Sequence, residues 1–176
     1  MQSKGDIMKV LLNENDITRA LTRITHEILE NNDDIENIVL VGIKTRGEYL
    51  MQRIANNIKK FEEIEVDTIS LDINYWRDDQ KKTDVKPEIN YDFLGKKVVL
   101  IDDVLFGGRT IRAAMDAVVS HGRPETIQLA VLIDRGHREF PIRADYVGKN
   151  IPTSQKESVK VMLDELDDVN QVLLIK

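Results

Sequence analysis

Cysteine is absent from this chain of 176 residues. Disulfides and thiolate metal sites are thereby excluded, and a reducing cytosol is permitted. No apolar run is long enough to span a bilayer, and Met1 to Met8 lack the apolar stretch of a signal peptide. The expectation is a cytoplasmic protein. A surplus of positive charge is also missing: 25 Lys and Arg stand against 31 Asp and Glu, a net charge of −6. Nucleic acid could then be bound only through a local basic patch. Histidine is scarce, and neither a Ser/His/Asp triad nor a histidine metal cluster is evident. With no repeat, low-complexity tract or linker, residues 1–176 are expected to form one domain, with 1–8 a flexible N-terminus.

What is present is the patterning of a globular α/β chain, 41% hydrophobic and 32% charged. Ile17, Leu21, Ile24 and Ile28 recur at three- and four-residue steps, which predicts a helix over 16–29 capped by Asn13 with Asp16. Ile38 to Val41 is wholly apolar and ends at Gly42, the pattern of a buried parallel strand. Leu50, Ile54 and Ile58 mark a second helix, and Val66 to Ile73 a strand. Residues 75–95 are polar and carry Pro87, so a mobile loop is expected there. Val98 to Ile101 is another buried strand, a helix follows from Thr110 to about Val119, and Ile127 to Ile133 is again a strand. Short strands are expected near Tyr146, from Val159 to Leu163 and from Val172 to Ile175. Strand, loop, helix, repeated, implies a parallel sheet that binds ligands at the carboxyl ends of its strands.

The most informative stretch is Asp102-Asp103-Val104-Leu105-Phe106-Gly107-Gly108-Arg109-Thr110. A strand delivers two carboxylates; two glycines then let backbone N–H groups approach an anion where a helix begins. Arg109 and Thr110 add donors. The spacing fits neither a Walker A loop nor a GxGxxG fingerprint. Carboxylates beside a phosphate cradle suit a ligand with both a phosphate and vicinal hydroxyls, such as a ribose 5-phosphate, held directly or through Mg²⁺. An acidic strand end followed by a glycine turn is the plainer alternative. A second string, Lys44-Thr45-Arg46-Gly47, offers a cation, a hydroxyl and a forked guanidinium at the same sheet edge; alone it would also suit a solvated basic turn. Arg19, Thr22, Arg23 and His26 form a stripe opposite the apolar face of the first helix, and His137, Arg138, Arg143 and Lys149 a second basic cluster. An ordinary solvated surface would explain both.

Val98 to Thr110 resembles the phosphoribosyl-diphosphate motif of type I phosphoribosyltransferases. Ala20 to Ile24, Leu40 to Gly47, Arg77-Asp78-Asp79, Ala130 to Arg138 and Pro141 to Ser154 resemble the PyrR family, RNA-binding attenuators of pyrimidine operons that also carry uracil phosphoribosyltransferase activity. The resemblance implies a single-domain α/β fold of the type I kind, with a parallel sheet, a small hood and peripheral strands. It implies transfer of ribose 5-phosphate from phosphoribosyl diphosphate to uracil, giving UMP, with Mg²⁺ at Asp102 and Asp103. Lys44, Thr45, Arg46 and Gly47 would take the diphosphate, joined by Arg77, with residues 102–110 on the phosphoribosyl group. Ile133, Asp134 and Arg135 would receive the base. Arg19, Thr22, Arg23, His26, His137, Arg138, Arg143 and Lys149 would meet a messenger-RNA hairpin, on a surface remote from the phosphate loops. A homo-oligomer is also implied. One departure stands out: the family usually reads Tyr-Thr-Gly-Arg-Thr where this chain has Phe106-Gly107-Gly108-Arg109-Thr110. A lost threonine hydroxyl on a charged phosphate would remove about 1.5–3 kcal/mol. Two readings follow, a working enzyme that also attenuates transcription, or an RNA-binding UMP sensor with impaired catalysis. A transferase for another base, such as hypoxanthine, is the third.

Overall fold

The computed structural model describes residues 6–79 and 83–176. In chain order the elements are β1 (Ile7–Leu12), α1 (Glu14–Glu30), β2 (Ile38–Ile43), α2 (Arg46–Glu62), β3 (Asp67–Leu71), β4 (Lys97–Gly107), α3 (Arg109–Val119), β5 (Thr126–Arg138), β6 (Tyr146–Asn150), β7 (Ser158–Met162), α4 (Asp164–Asp167) and β8 (Gln171–Ile175). Five strands form a parallel sheet in the order β3-β2-β4-β5-β6. β1, β8 and β7 make a separate antiparallel sheet, a hood built from the two ends of the chain.

Period-two alternation divides the core between the two faces of the large sheet. In β2, Ile38 and Leu40 join one cluster with Ile24, Ile28, Leu50 and Ile54 from α1 and α2. Val39 and Val41 turn the other way, onto Ile111, Ala114 and Val118 of α3. All six residues of β2 are buried, which is why the strand reads as unbroken apolar sequence. Each such side chain contributes about 1.5–3 kcal/mol on burial. At the start of α1 the expected cap is a full capping box: the Asn13 side chain accepts from the Asp16 amide at 2.9 Å, and Asp16 accepts from the Asn13 amide at 3.0 Å.

The N-terminal boundary and the ends of β4 and β5 need correction. Residues 1–5 lie outside those described, but Ile7 and Met8, expected in a flexible end, open β1, where Ile7 pairs with Ile175 of β8 and the ladder resumes at Lys9. Of the segment expected to be mobile, residues 80–82 lie outside those described. Asp102 to Gly107, read as a loop, belong to β4, because the ladder to β5 continues past the apolar run: Asp102 pairs with Val131, Leu105 with Asp134 and, after a bulge, Gly107 with Arg138. β5 is correspondingly long, running to Arg138 rather than Ile133. Among the described residues, no helix is long and apolar enough to cross a membrane.

Candidate functional site

At the carboxyl ends of β2, β3 and β4 lies a cleft of about 480 Å³, lined by Lys44, Thr45, Asp72, Asn74, Arg77, Asp102, Asp103, Val104 and Thr110, among others. A second cavity, of about 320 Å³, shares Arg77, Val104 and Thr110 with it and continues along Leu105, Phe106, Gly107 and Arg109 to Glu139. The two strings singled out above therefore meet at one edge of the sheet, as the strand-end rule requires.

Close approach joins them. A Cβ on Gly47, in the first turn of α2, would drive into the Ile101 carbonyl and stand 3.3 Å from the Asp102 Cα. Only glycine lets the turn after Lys44-Thr45, whose linking peptide is cis, lie directly on the strand that presents the carboxylates. Asp102 is 8% exposed. Burial, then the neighbouring charge of Asp103, pushes its carboxyl well above the ordinary value. Asp102 accepts from the Asp103 amide at 2.9 Å and Asp103 from the Val104 amide at 2.8 Å. Gly107 and Gly108 take positive φ, +52° and +99°, turning the chain from β4 into α3.

Arg77 reaches this edge from the long connection between β3 and β4. Its Nε and Nη2 donate to Asp79 at 3.0 and 2.9 Å, and its Nη1 donates to Thr110 Oγ1 at 3.3 Å. Hydrogen bonding to Asp79 is the main cause that raises the guanidinium's pKa further.

Other expected groups point elsewhere. Arg46 lines neither cavity. Its Nη2 donates to both carboxylate oxygens of Asp167 at 3.1 Å, tying α2 to α4 of the hood. Ile133, Asp134 and Arg135, expected under the base, line neither cavity. Ile133 is in the core. Asp134 is buried and accepts from the Gly136 amide at 2.9 Å. The Arg135 guanidinium lies 4.2 Å over the Phe106 ring and donates to Thr153 Oγ1 at 2.9 Å. Residues the sequence reading missed include Asp72 and Asn74 in the cleft. Asp72 closely follows β3, so the strand-end rule, applied to that strand, would have found it.

The expected RNA residues are not all remote from the phosphate loops. Arg138 is the register partner of Gly107, and His137 packs edge-on against Phe106 with centroids 5.5 Å apart. Arg23 reaches the sheet's edge strand, donating to the carbonyls of Val147 at 3.2 Å and Gly148 at 2.6 Å, next to Lys149. His26 stacks on Phe61 of α2 at 4.7 Å. Thr22 and Arg19 line the same shallow groove along α1 as Arg23 and His26. Arg143 is exposed in the connection from β5 to β6.

Paired carboxylates and clustered hydrogen-bond donors at the carboxyl end of a parallel sheet, with a separate antiparallel hood, mark the fold and site as those of a phosphoribosyltransferase. Residues 9–166 match the family model for the phosphoribosyl transferase domain. Curated relatives are similar over nearly the whole chain. The bifunctional protein PyrR of Clostridium novyi (strain NT) is 52% identical, covering 97% of this chain and 99% of its own. That of Thermoanaerobacter pseudethanolicus is 55% identical, covering 99% and 98%. The chain belongs to the PyrR family of phosphoribosyltransferases. Among solved structures, a hypoxanthine phosphoribosyltransferase from Staphylococcus aureus superposes with a TM-score of 0.74 at 22% identity, covering 97% of this chain and 92% of its own. One from Trypanosoma cruzi, in complex with the product IMP, gives 0.76 at 16%, covering 97% and 91%. At such identities they speak for the fold alone.

Proposed function

We infer that the protein attenuates transcription of pyrimidine genes by binding messenger RNA, and makes UMP from uracil and phosphoribosyl diphosphate. The observation that carries this reading is the meeting of Lys44-Thr45, Asp102-Asp103 and Thr110 around one cleft, in a chain of the PyrR family. In the reaction, N1 of uracil displaces diphosphate from the anomeric carbon of the ribose. Bond breaking runs ahead of bond making, so positioning and electrostatics do most of the work. Lys44, Thr45 and Arg77 hold the departing diphosphate, and Asp102 and Asp103 accept from the ribose hydroxyls. The amides of the Gly107–Thr110 turn and the Thr110 hydroxyl take the 5-phosphate at the start of α3.

The donor set suits Mg²⁺. Among the described residues, no group of three or more His, Cys, Asp or Glu could hold a metal alone. Asp102 and Asp103 would supply one or two ligands, and water and substrate oxygens the others, as this ion prefers. When bound, it supplies positive charge to the diphosphate. The protein is proposed to act in the cytoplasm as a homo-oligomer. Arg19, Thr22, Arg23 and His26 on α1, with His137, Arg138, Arg143 and Lys149, are proposed to form the hairpin-binding face, its donors suited to unpaired bases and backbone.

Radiolabelled uracil with phosphoribosyl diphosphate and Mg²⁺ tests the enzyme; hairpin binding with and without UMP tests the regulator. Turnover to UMP and nucleotide-dependent binding are expected together. Binding without turnover would leave an RNA-binding UMP sensor.

A further inference from the structure

Arg109 does not turn its guanidinium simply toward a phosphate. Its Nε donates to Glu139, and its Nη1 donates to Asp78 at 3.1 Å. Arg112, one turn along α3, stands 3.7 Å from the same Asp78 carboxylate. Both guanidinium groups lie over the Phe140 ring, at 4.8 and 5.4 Å from its centroid. Asp78 therefore docks the chain just beyond Arg77 onto the start of α3, against a pair of arginines seated on an aromatic ring. Asp78 itself lines neither cavity.

Its neighbours show what the docking achieves. Arg77 belongs to a long connection between β3 and β4 whose described residues form neither helix nor strand. Such a segment has few hydrogen bonds of its own to fix a side chain over a cleft. Asp79 aligns the guanidinium through Nε and Nη2, and Thr110 receives Nη1. Asp78, between Arg77 and Asp79 in sequence, supplies a charged attachment to the body of the protein. We propose that Asp78 is a positioning residue for the transferase reaction: by pairing with Arg109 and Arg112 it seats Arg77 over the diphosphate side of the cleft. Arg109 then serves through its side chain as a strut between residue 78 and the Glu139-Phe140 turn, while its backbone remains with the phosphate turn. The proposal rests on the transferase reading above.

A competing picture has the opposite sign. If Asp78 mimicked substrate phosphate and occupied Arg109 against it, removing the charge would improve binding. The test is steady-state kinetics and calorimetric binding of phosphoribosyl diphosphate for Asp78→Asn. Seating predicts a KM and a Kd raised about three- to ten-fold, the scale of two half-exposed ion pairs lost together. kcat should change less than two-fold, because saturating diphosphate itself draws Arg77 into place. Asp78→Glu should recover much of the loss, and the thermal midpoint of Asp78→Asn should fall by no more than about 4 °C. Arg112→Gln, at a position that lines neither cavity, should raise KM in the same direction and be non-additive with Asp78→Asn. A lower or unchanged Kd in Asp78→Asn would overturn the proposal, as would strict additivity of the two substitutions. Absence of UMP formation by the unaltered protein would instead sink the transferase reading, with calorimetry still reporting on Asp78.

Discussion

The two loops proposed to bind anions both follow a buried strand, both begin a helix, and both contain glycine and arginine, yet they are built on different physical grounds. In the loop at Lys44–Gly47 glycine is needed for space: Gly47 touches β4 where a Cβ cannot fit. In the loop at Gly107–Thr110 glycine is needed for conformation: a Cβ on Gly107 would meet only the Glu139 side chain, at 3.5 Å, but φ is +52°. The arginines differ in what holds them, Arg46 by Asp167 of the hood, Arg109 by Asp78 and Glu139. A motif thus reports that an anion can be bound, whereas the contacts report what each loop is coupled to.

The largest effect is expected where space is the constraint. Gly47→Ala should separate α2 from β4, costing about 3 kcal/mol, the upper end for overpacking. Turnover to UMP should fall more than ten-fold and the thermal midpoint should drop. Normal activity in this variant would mean that the two loops are not held together by that contact.

A smaller effect separates conformation from chemistry at Gly107. Alanine there must adopt a left-handed conformation, at about 1–2 kcal/mol. Threonine bears a comparable or larger strain but adds a hydroxyl that can bond the 5-phosphate, worth about 1.5–3 kcal/mol. Gly107→Thr should therefore bind phosphoribosyl diphosphate about ten-fold more tightly than Gly107→Ala, measured by calorimetry. Equal affinities would show that the turn works through its amides alone.

These contrasts also explain what sequence could disclose. The three central strands were legible because burial on both faces leaves uninterrupted apolar runs, as in β2, at the start of β4 and in the middle of β5, whereas β3 and β6, at the sheet's edges, are only partly buried. Asp102, Asp103 and Thr110 were legible because strand, carboxylates, glycines and helix are contiguous. The hood strand β1 was not: its partner is β8, at the far end of the chain, and Ile7 and Val10 are 64% and 50% exposed, so no apolar face announces it. Arg46 and Arg109 were assigned to phosphate on residue type. Their carboxylate partners lie 121 and about 30 residues away, beyond any local pattern.

The hood contact gives a pH-dependent prediction. Burial pushes the Asp167 carboxyl up, but the Leu163 amide and the Arg46 guanidinium outweigh it, leaving the group below its ordinary value of 3.8. A folded value below the unfolded one means that the contribution is complete above that pH and is lost as pH falls through the lower folded value. Asp167→Asn should cost about 1 kcal/mol near neutrality, with the difference from the unaltered protein vanishing in strong acid. Denaturant midpoints at a series of pH values measure it; a difference independent of pH would remove the ion pair from the account.

The smallest effect concerns RNA, and it follows from the same asymmetry. The carbonyl of Gly107 accepts from the amides of Glu139 at 2.7 Å and Phe140 at 3.0 Å, and Arg138 is its register partner. The phosphate turn is thus bonded directly to the segment that carries His137 and Arg138 of the proposed hairpin face, whereas Arg46 of the diphosphate loop is anchored in the hood. A nucleotide phosphate entering the turn meets a peptide whose carbonyl already holds residues 139 and 140. We propose that a change there is felt by the proposed hairpin face through these two hydrogen bonds; coupling between two sites is commonly about 1–3 kcal/mol in total. Gly107→Ala should therefore diminish the ratio of hairpin affinities with and without UMP by about two- to three-fold, since it removes part of that coupling. Asp167→Asn should leave the ratio as it is. Both variants are to be compared at one salt concentration, because each phosphate contact adds about one unit to the salt-dependence slope. An equal loss in both would mean that the nucleotide signal travels through the hood or the whole fold. A loss confined to Asp167→Asn would reverse the assignment and make the diphosphate loop the one that speaks to RNA.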